Sequence, residues 1–319
     1  MSNFPHNDPA VQYVDISADQ AGQRIDNFLI RYLKGVPKSH IYRILRKGEV
    51  RVNKGRIKAD HKLHSGDRVR IPPVRVAERE PAVVPREQLV ELLKASVLFE
   101  NKGLLVINKP IQLAVHGGSG IRMGVIEALR HLYPDLSLLE LVHRLDRDTS
   151  GCLMIAKSRR VLTDLQAQWR AGEVQKTYWA LVEGKWPRSL RVIDRPLLKN
   201  QLASGERMVR VHADGKPSQT EFRVLERYND ATLVEANPIT GRTHQIRVHC
   251  QATGHAILGD EKYGDNESYK RWRQHGVGRL CLHARRLSFR DPLSAEAMVV
   301  EAEPDPSWRA IEALLEPAG

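Results

Sequence analysis

Between residues 21 and 75 this chain carries 15 lysines and arginines against 4 aspartates and glutamates, whereas everything outside that segment is close to neutral, with 35 against 34. Charge this localised demands a small unit of its own, and a length of 319 residues fits about two domains. The boundary is marked as well. Residues 72–91, PPVRVAEREPAVVPREQLVE, hold four prolines and alternate charge with small apolar residues, the make-up of a tether between independently folded units. The expected layout is a tail over 1–20, a basic unit over 21–75, a linker over 76–92 and a larger domain over 93–319. Apolar residues make up 41% of the chain, enough for a buried core, which excludes global disorder. A net charge of +12 and a pI near 9.7, concentrated in one segment, point to a polyanionic partner.

Other classes drop out quickly. The three cysteines, Cys152, Cys250 and Cys281, are far apart and none lies in a CxxC or a zinc-spaced Cys/His arrangement, so they are expected to be reduced packing residues. The start, MSNFPHNDPA, lacks a basic region followed by an apolar core, and no run of about 18 apolar residues occurs anywhere. Neither secretion nor a membrane span is expected, and the default location is the cytoplasm. Nothing in the heptad pattern suggests a coiled coil, and a monomer is expected.

Within the basic unit, Ile25, Phe28, Leu29, Ile30, Tyr32 and Leu33 suit an amphipathic helix over 23–33. A second helix is expected from Ser39 as N-cap to Gly48, with Arg43, Arg46 and Lys47 on its solvated side. The following EVRVNKGRIK alternates Val50 and Val52 with charged residues and turns at Asn-Lys-Gly, and a further extended piece is expected over 67–71. Two helices and a hairpin with one basic face resemble the S4 domain, an RNA-binding module, over roughly residues 23–72. That resemblance implies RNA contacts from Arg43, Arg46, Lys47, Arg51, Lys54 and Arg56, which would position a substrate through its phosphates without reading much sequence.

In the larger domain, a strand is expected at 104–108 before Lys109-Pro110, a helix at 124–133, and another starting at Ser158 and stopping at Gly172. Strands are expected at 176–182 and across 220–236, and a short helix from Thr243 as N-cap to the stop at Gly254. Strands and helices mix without a regular βαβ rhythm, so the fold class is α+β on a mixed, largely antiparallel sheet, joined to a small α/β N-terminal domain.

The densest chemistry lies in ELVHRLDRDTSGCLMIAK at 140–157. Two short extended runs, the second almost wholly apolar and therefore buried, project a loop that surrounds one carboxylate, Asp146, with His143, Arg144 and Arg147. One acid among cations suits work on an anionic polymer. In QKTYWALVEG, Tyr178 shares a strand face with Ala180 and Val182 and is available to a base. In TGRTHQIRVH, Arg247 sits mid-helix, from where it can point inward. His244 and His249 lie about 140 degrees apart on a helix, which excludes a shared metal, and HGGSGIRMG matches no nucleotide-binding loop. No metal and no cofactor is expected.

HRLDRDTSG at 143–151, KTYWALV at 176–182 and TGRTHQIRVH at 240–249, with INKP, AVHGG and LHA in the same order, closely resemble the RluA family of RNA pseudouridine synthases from about Val97 to the C-terminus. The segment at 197–222 resembles one branch of that family more than its relatives. The likeness implies Asp146 as the essential carboxylate, Tyr178 packed on the target base and Arg247 paired with Asp146. His143 and Arg144 would contact RNA or brace the loop. It also implies isomerisation of uridine in 23S ribosomal RNA of the large ribosomal subunit, free or during assembly, once the uridine is flipped out. A carboxylate near the ribose can attack C1′, add to C6 of uracil, or remove the C2′ proton to give a glycal; the resemblance favours the last. Two alternatives are a non-catalytic RNA- or ribosome-binding protein, and a synthase acting on other ribosomal uridines or on transfer RNA.

Overall fold

A computed structural model describes residues 10–33, 35–74, 85–118, 123–201 and 207–318, with the side chains of Gln201 and Arg207 excepted. The chain divides into two compact units, Met1–Val84 and Pro85–Gly319.

The first unit contains β1 (Gln12–Asp15), α1 (Ile25–Tyr32), α2 (Lys38–Arg46), β2 (Arg51–Val52), β3 (Gly55–Arg56) and β4 (Arg68–Ile71). Its sheet runs β1-β4-β2-β3. Ile25, Phe28 and Leu29 from α1 meet Ile41, Ile44 and Leu45 from α2 over Val52, Val69 and Ile71, so the apolar periodicity read in the sequence is the core. The turn between β2 and β3 places Asn53 and Lys54 at φ of 49° and 69°, which Asn tolerates and a two-residue hairpin requires. Two expectations fail here. Residues 12–15 are not tail: β1 pairs antiparallel with β4, Val14 opposite Val69. Ser39 is not the N-cap of α2, because the fixed φ of Pro37 already sets the entry, and the helix starts at Lys38.

The second unit begins with α3 (Glu87–Ala95), so the last part of the stretch expected to be linker is helical, while 75–84 lies outside the described residues. There follow β5 (Val97–Glu100), β6 (Leu104–Lys109), α4 (Val125–Leu132), β7 (Glu140–Leu141), β8 (Ser150–Ala156), α5 (Arg159–Ala171), β9 (Gln175–Glu183), β10 (Val192–Asp194), β11 (Leu197–Gln201), β12 (Arg207–Val211), β13 (Gln219–Arg227), β14 (Ala231–Pro238), α6 (Gln245–Gln251), α7 (Asn266–Gln274), β15 (Leu282–Arg290), β16 (Ala297–Glu301) and α8 (Pro306–Glu312). The main sheet has the order β10-β13-β14-β9-β15-β8-β6-β5, with β16 on β15 and β7 on β8; β11 and β12 form a separate hairpin. Among the described residues only β15 and β8 pair in parallel, so the sheet is mixed and largely antiparallel as expected.

Strand β8 explains its own composition. Cys152, Met154 and Ala156 pack under Val161, Leu162 and Leu165 of α5, while Leu153 and Ile155 pack under Val125, Ile126 and Leu129 of α4. Both faces are covered, and an apolar run replaces alternation. Each Val, Leu, Ile or Met among them contributes about 1.5–3 kcal/mol on burial. Helix α5 is delimited as the sequence indicated: Ser158 Oγ accepts from the Val161 N–H, and Gly172 closes the helix at φ 75°. Gly151 at the head of β8 has φ 108°, and a Cβ there would lie 2.3 Å from the Ala284 carbonyl oxygen. Only glycine allows β8 and β15 to close at this point.

Candidate active site

The loop between β7 and β8 carries Asp146 and is tied down from several sides. Leu145 is buried beneath it, and the Thr149 N–H donates to the Asp146 carbonyl at 3.2 Å. Lys109, fully buried at the end of β6, donates to the carbonyls of Pro110, Leu113 and Arg147 at 2.6, 2.9 and 3.0 Å, so its ammonium spans two segments. Burial pulls its pKa down to about 7. Where the loop enters β8, Ser150 Oγ meets His283 Nδ1 at 2.9 Å and accepts from Arg279 Nη2 at 2.8 Å, and His283 Nε2 bonds to the Ala302 carbonyl. A loop fixed in this way can aim a side chain.

Asp146 faces α6. Arg247 Nη1 lies 3.4 Å from Asp146 Oδ2, while Nε and Nη2 of the same guanidinium bond Oδ2 and Oδ1 of Asp260 at 2.8 and 2.7 Å. Asp260 is buried and also accepts from the N–H groups of Lys262 and Tyr263. Burial works against the Arg247 charge, but the hydrogen bonds and charge of Asp260, with Asp146 added, hold its pKa above the ordinary value. The planar fork thus uses one edge for a fixed internal partner and offers the other to Asp146. His244 Nε2 lies 3.6 Å from the same Asp146 oxygen. His244, not Thr243, is the N-cap of α6, at φ 53°. The Gln245 side chain explains the shift: its Oε1 accepts from Thr240 Oγ1 and the Arg242 N–H, closing the preceding loop without a Thr243 cap.

Tyr178, on β9, is half-buried in the same wall as Asp146. Burial, and then the Asp146 charge, push its phenol well above the usual value, so the hydroxyl stays protonated. Two clefts, of about 390 and 1190 Å³, meet at Arg144, Leu145, Asp146, His244 and Arg247. Tyr178, Trp169, Lys176 and Arg242 line the smaller one, and Arg147, Lys262, Arg273 and Arg279 line the larger.

The fold therefore brings Asp146, Tyr178 and Arg247 together from three segments. The other residues of the loop separate by role. Arg144 is exposed and lines both clefts, whereas Arg147 pairs with Asp148 at 3.0 Å. His143 stacks on Trp169, with ring centroids 4.4 Å apart, and its Nε2 accepts from the Met154 N–H, so it braces the loop while also lining the smaller cleft. Burial lowers its pKa to about 3 and keeps it neutral. In the first unit, Lys47, Arg51, Lys54 and Arg56 line one cleft of about 1150 Å³ with Arg68, Arg70 and Tyr13. Arg43 and Arg46 are exposed on α2 outside it.

Sequence reasoning missed Asp260, His244, Tyr263 and Lys109 as members of the site. For Lys109 a signal existed, since strand alternation places it inward after Leu105 and Ile107; the others depend on long-range packing. Among the described residues, no group of three or more His, Cys, Asp or Glu side chains could hold a metal ion, and no helix is long and apolar enough to cross a membrane.

Comparison with known proteins places the chain in a family. Residues 103–252 match the RNA pseudouridylate synthase family, and residues 23–69 match the S4 domain. The chain is 56% identical over 303 residues to ribosomal large subunit pseudouridine synthase C of Pasteurella multocida, covering 95% of this chain and 93% of that one. It is 58% identical over 300 residues to the protein of the same name from Escherichia coli K12, covering 93% and 94%. Among solved structures, human RNA pseudouridylate synthase domain containing 4 superposes with a TM-score of 0.59 at 27% identity, over 73% of this chain and 98% of that one. Human RNA pseudouridylate synthase domain containing 1 gives 0.60 at 28% identity, over 74% and 92%. With a carboxylate, an arginine and a tyrosine gathered at one cleft and relatives this similar over nearly their full length, this chain belongs to the RNA pseudouridylate synthase family and is an isomerase with an S4 domain ahead of its catalytic domain.

Proposed function

We propose that this enzyme, working as a monomer in the cytoplasm, isomerises specific uridines of large-subunit (23S) ribosomal RNA to pseudouridine, with Asp146 as the acting carboxylate. The observation that carries this reading is Asp146 itself, held against Arg247 at the junction of two clefts, with Tyr178 in the same wall. Isomerisation breaks N1–C1′, turns the uracil and joins C5 to C1′. C5 loses its hydrogen and N1 gains one, so no atoms are gained or lost overall. Of the routes open to a carboxylate, the family likeness favours removal of the C2′ proton by Asp146 as N1–C1′ breaks, with its return as C5 bonds to C1′.

The remaining groups supply binding. Extracting the uridine from its stack costs a few kcal/mol, which contacts to phosphates and to the vacated stack can offset. Arg144, exposed and common to both clefts, is the candidate for that contact. Tyr178 presents a ring on which a detached uracil can stack, with a protonated hydroxyl beside it. The cluster of Lys47, Arg51, Lys54, Arg56, Arg68 and Arg70 adds a phosphate-binding surface.

The test is a pseudouridine map of ribosomal RNA from cells lacking this protein, repeated after restoring wild type or Asp146→Ala. Loss of particular large-subunit sites, rescued by wild type alone, is the expected result. Rescue by Asp146→Ala would remove Asp146 from the chemistry, and an unchanged ribosomal map would direct the search to transfer RNA.

A further inference from the structure

Both groups that approach Asp146 approach the same oxygen. Arg247 Nη1 is 3.4 Å and His244 Nε2 3.6 Å from Oδ2, each the shortest approach of that side chain to the carboxylate, and among the described residues Oδ1 accepts no hydrogen bond. A carboxylate gripped by one oxygen presents the other in a defined direction. The arginine grip is explained by Asp260, which fixes the guanidinium. The histidine grip has its own support. His244 Nδ1 lies 2.6 Å from the Tyr263 hydroxyl, which also accepts from the Val209 N–H at 3.1 Å. The Tyr263 ring in turn sits 5.0 Å beneath the Arg247 guanidinium carbon. One tyrosine thus orients both of the groups that face Oδ2.

The hydrogen bonds around the ring select a tautomer. Burial pushes the Tyr263 phenol up to about 12, so it keeps its proton and can donate to Nδ1. Burial also lowers the His244 pKa, against the pull of Asp146, so the ring is neutral. A neutral ring that accepts at Nδ1 carries its proton on Nε2, aimed at Asp146. The left-handed backbone at His244 is part of the device, since a non-glycine residue at φ 53° is held there by its surroundings. Distances of 3.4 and 3.6 Å exceed the roughly 2.7–2.9 Å of charge-assisted bonds, and contacts of this kind tighten as substrate fills a site.

We propose that His244 is a positioning residue for the isomerisation: its Nε2–H, aimed by the Tyr263 hydroxyl, holds Oδ2 of Asp146 and thereby presents Oδ1 to the ribose. This rests on Asp146 being the acting carboxylate, and the experiment separates the two ideas. Large-subunit ribosomal RNA transcribed with tritium at uracil C5 releases its label as C5 bonds to C1′, which gives kcat, KM and a pH profile for each variant. His244→Asn tolerates the left-handed backbone, but its amide reaches only the Nδ1 position, so Oδ2 loses the second of its two donors and keeps Arg247 alone. The expected result is a kcat lower by about 10- to 100-fold at nearly unchanged KM. The acidic limb of the kcat profile should move to higher pH, because the ionised form of the carboxylate has lost a donor. The other groups facing His244, namely Arg247, Asp260, Lys262 and Tyr263, are unaltered in this variant. His244→Gln, whose amide reaches the Nε2 position, should recover most of the rate and the wild-type limb.

Tyr263→Phe keeps the ring under Arg247 and should lower kcat in the same direction, with the double variant no worse than His244→Asn. Wild-type kcat and acidic limb in His244→Asn, beside an inactive Asp146→Ala, overturn the proposal. An active Asp146→Ala overturns the reading beneath it instead. If His244→Asn fails to fold, Tyr263→Phe decides: an unchanged rate and profile overturn the proposal.

Discussion

Arg247 joins a buried ion pair to the proposed acting carboxylate through one side chain. It is 7% exposed and bonds Asp260, itself 2% exposed, through two of its nitrogens, leaving the third for Asp146. Removing one partner of such a buried pair leaves an uncompensated charge, at a cost of about 3–5 kcal/mol. Asp260→Asn should therefore lower the urea midpoint by a corresponding amount and reduce turnover together with it, whereas Asp146→Asn should abolish turnover with little loss of stability or RNA affinity. Equal destabilisation by the two substitutions, in matched urea titrations, would show that the Arg247–Asp260 pair is not the fixed half of the arrangement. Arg247 and Tyr178 were legible in the sequence through their motifs. Asp260 was not, because an acid after glycine looks like a turn until the fold reveals what it faces.

At the scale of elements, β8 and the loop before it were the most legible part of the chain, since a seven-residue strand apolar but for Ser150 has no stable place outside a sheet covered on both faces. His143 links that strand to α5 through Met154 and Trp169. Its pKa, pushed by burial to about 3, gives a signed prediction. Between about pH 6.5 and 3 the unfolded chain binds a proton that the folded chain refuses, so stability is lost as pH falls through that window. His143→Gln retains an acceptor for the Met154 N–H without titrating there, and should flatten the dependence of the urea midpoint on pH across that range. An identical slope in the variant would mean that His143 does not stay neutral in the fold. The caps show where local signals stop. Ser158 and Gly172 delimit α5 as written in the sequence, but α6 begins one residue late because Gln245 closes the loop before it. A cap competes with every nearby acceptor, and only the folded loop reveals which one wins.

At the scale of the whole molecule, the basic surplus of residues 21–75 becomes a cleft in the first unit, where Lys47, Arg51, Lys54 and Arg56 are joined by Arg68 and Arg70. If these neutralise RNA phosphates, the logarithm of the binding constant falls against that of salt concentration with a slope of about 0.7 per contact on single strands. Replacing Arg51, Lys54 and Arg56 by alanine should shallow that slope by roughly 2 while leaving saturating turnover intact. A slope equal to that of wild type in filter-binding titrations would remove the cluster from the interface. The sequence by itself determined the two-part organisation, the α+β class, the basic unit and the identity of the loop, strand and helix that bear Asp146, Tyr178 and Arg247, because charge segregation, periodicity and motif are local properties. Only the tertiary structure decided which oxygen of Asp146 is held, that Asp260 fixes Arg247, that Tyr263 meets His244 and that His143 stacks on Trp169, because those depend on contacts between residues far apart in the chain whose geometry no local pattern encodes.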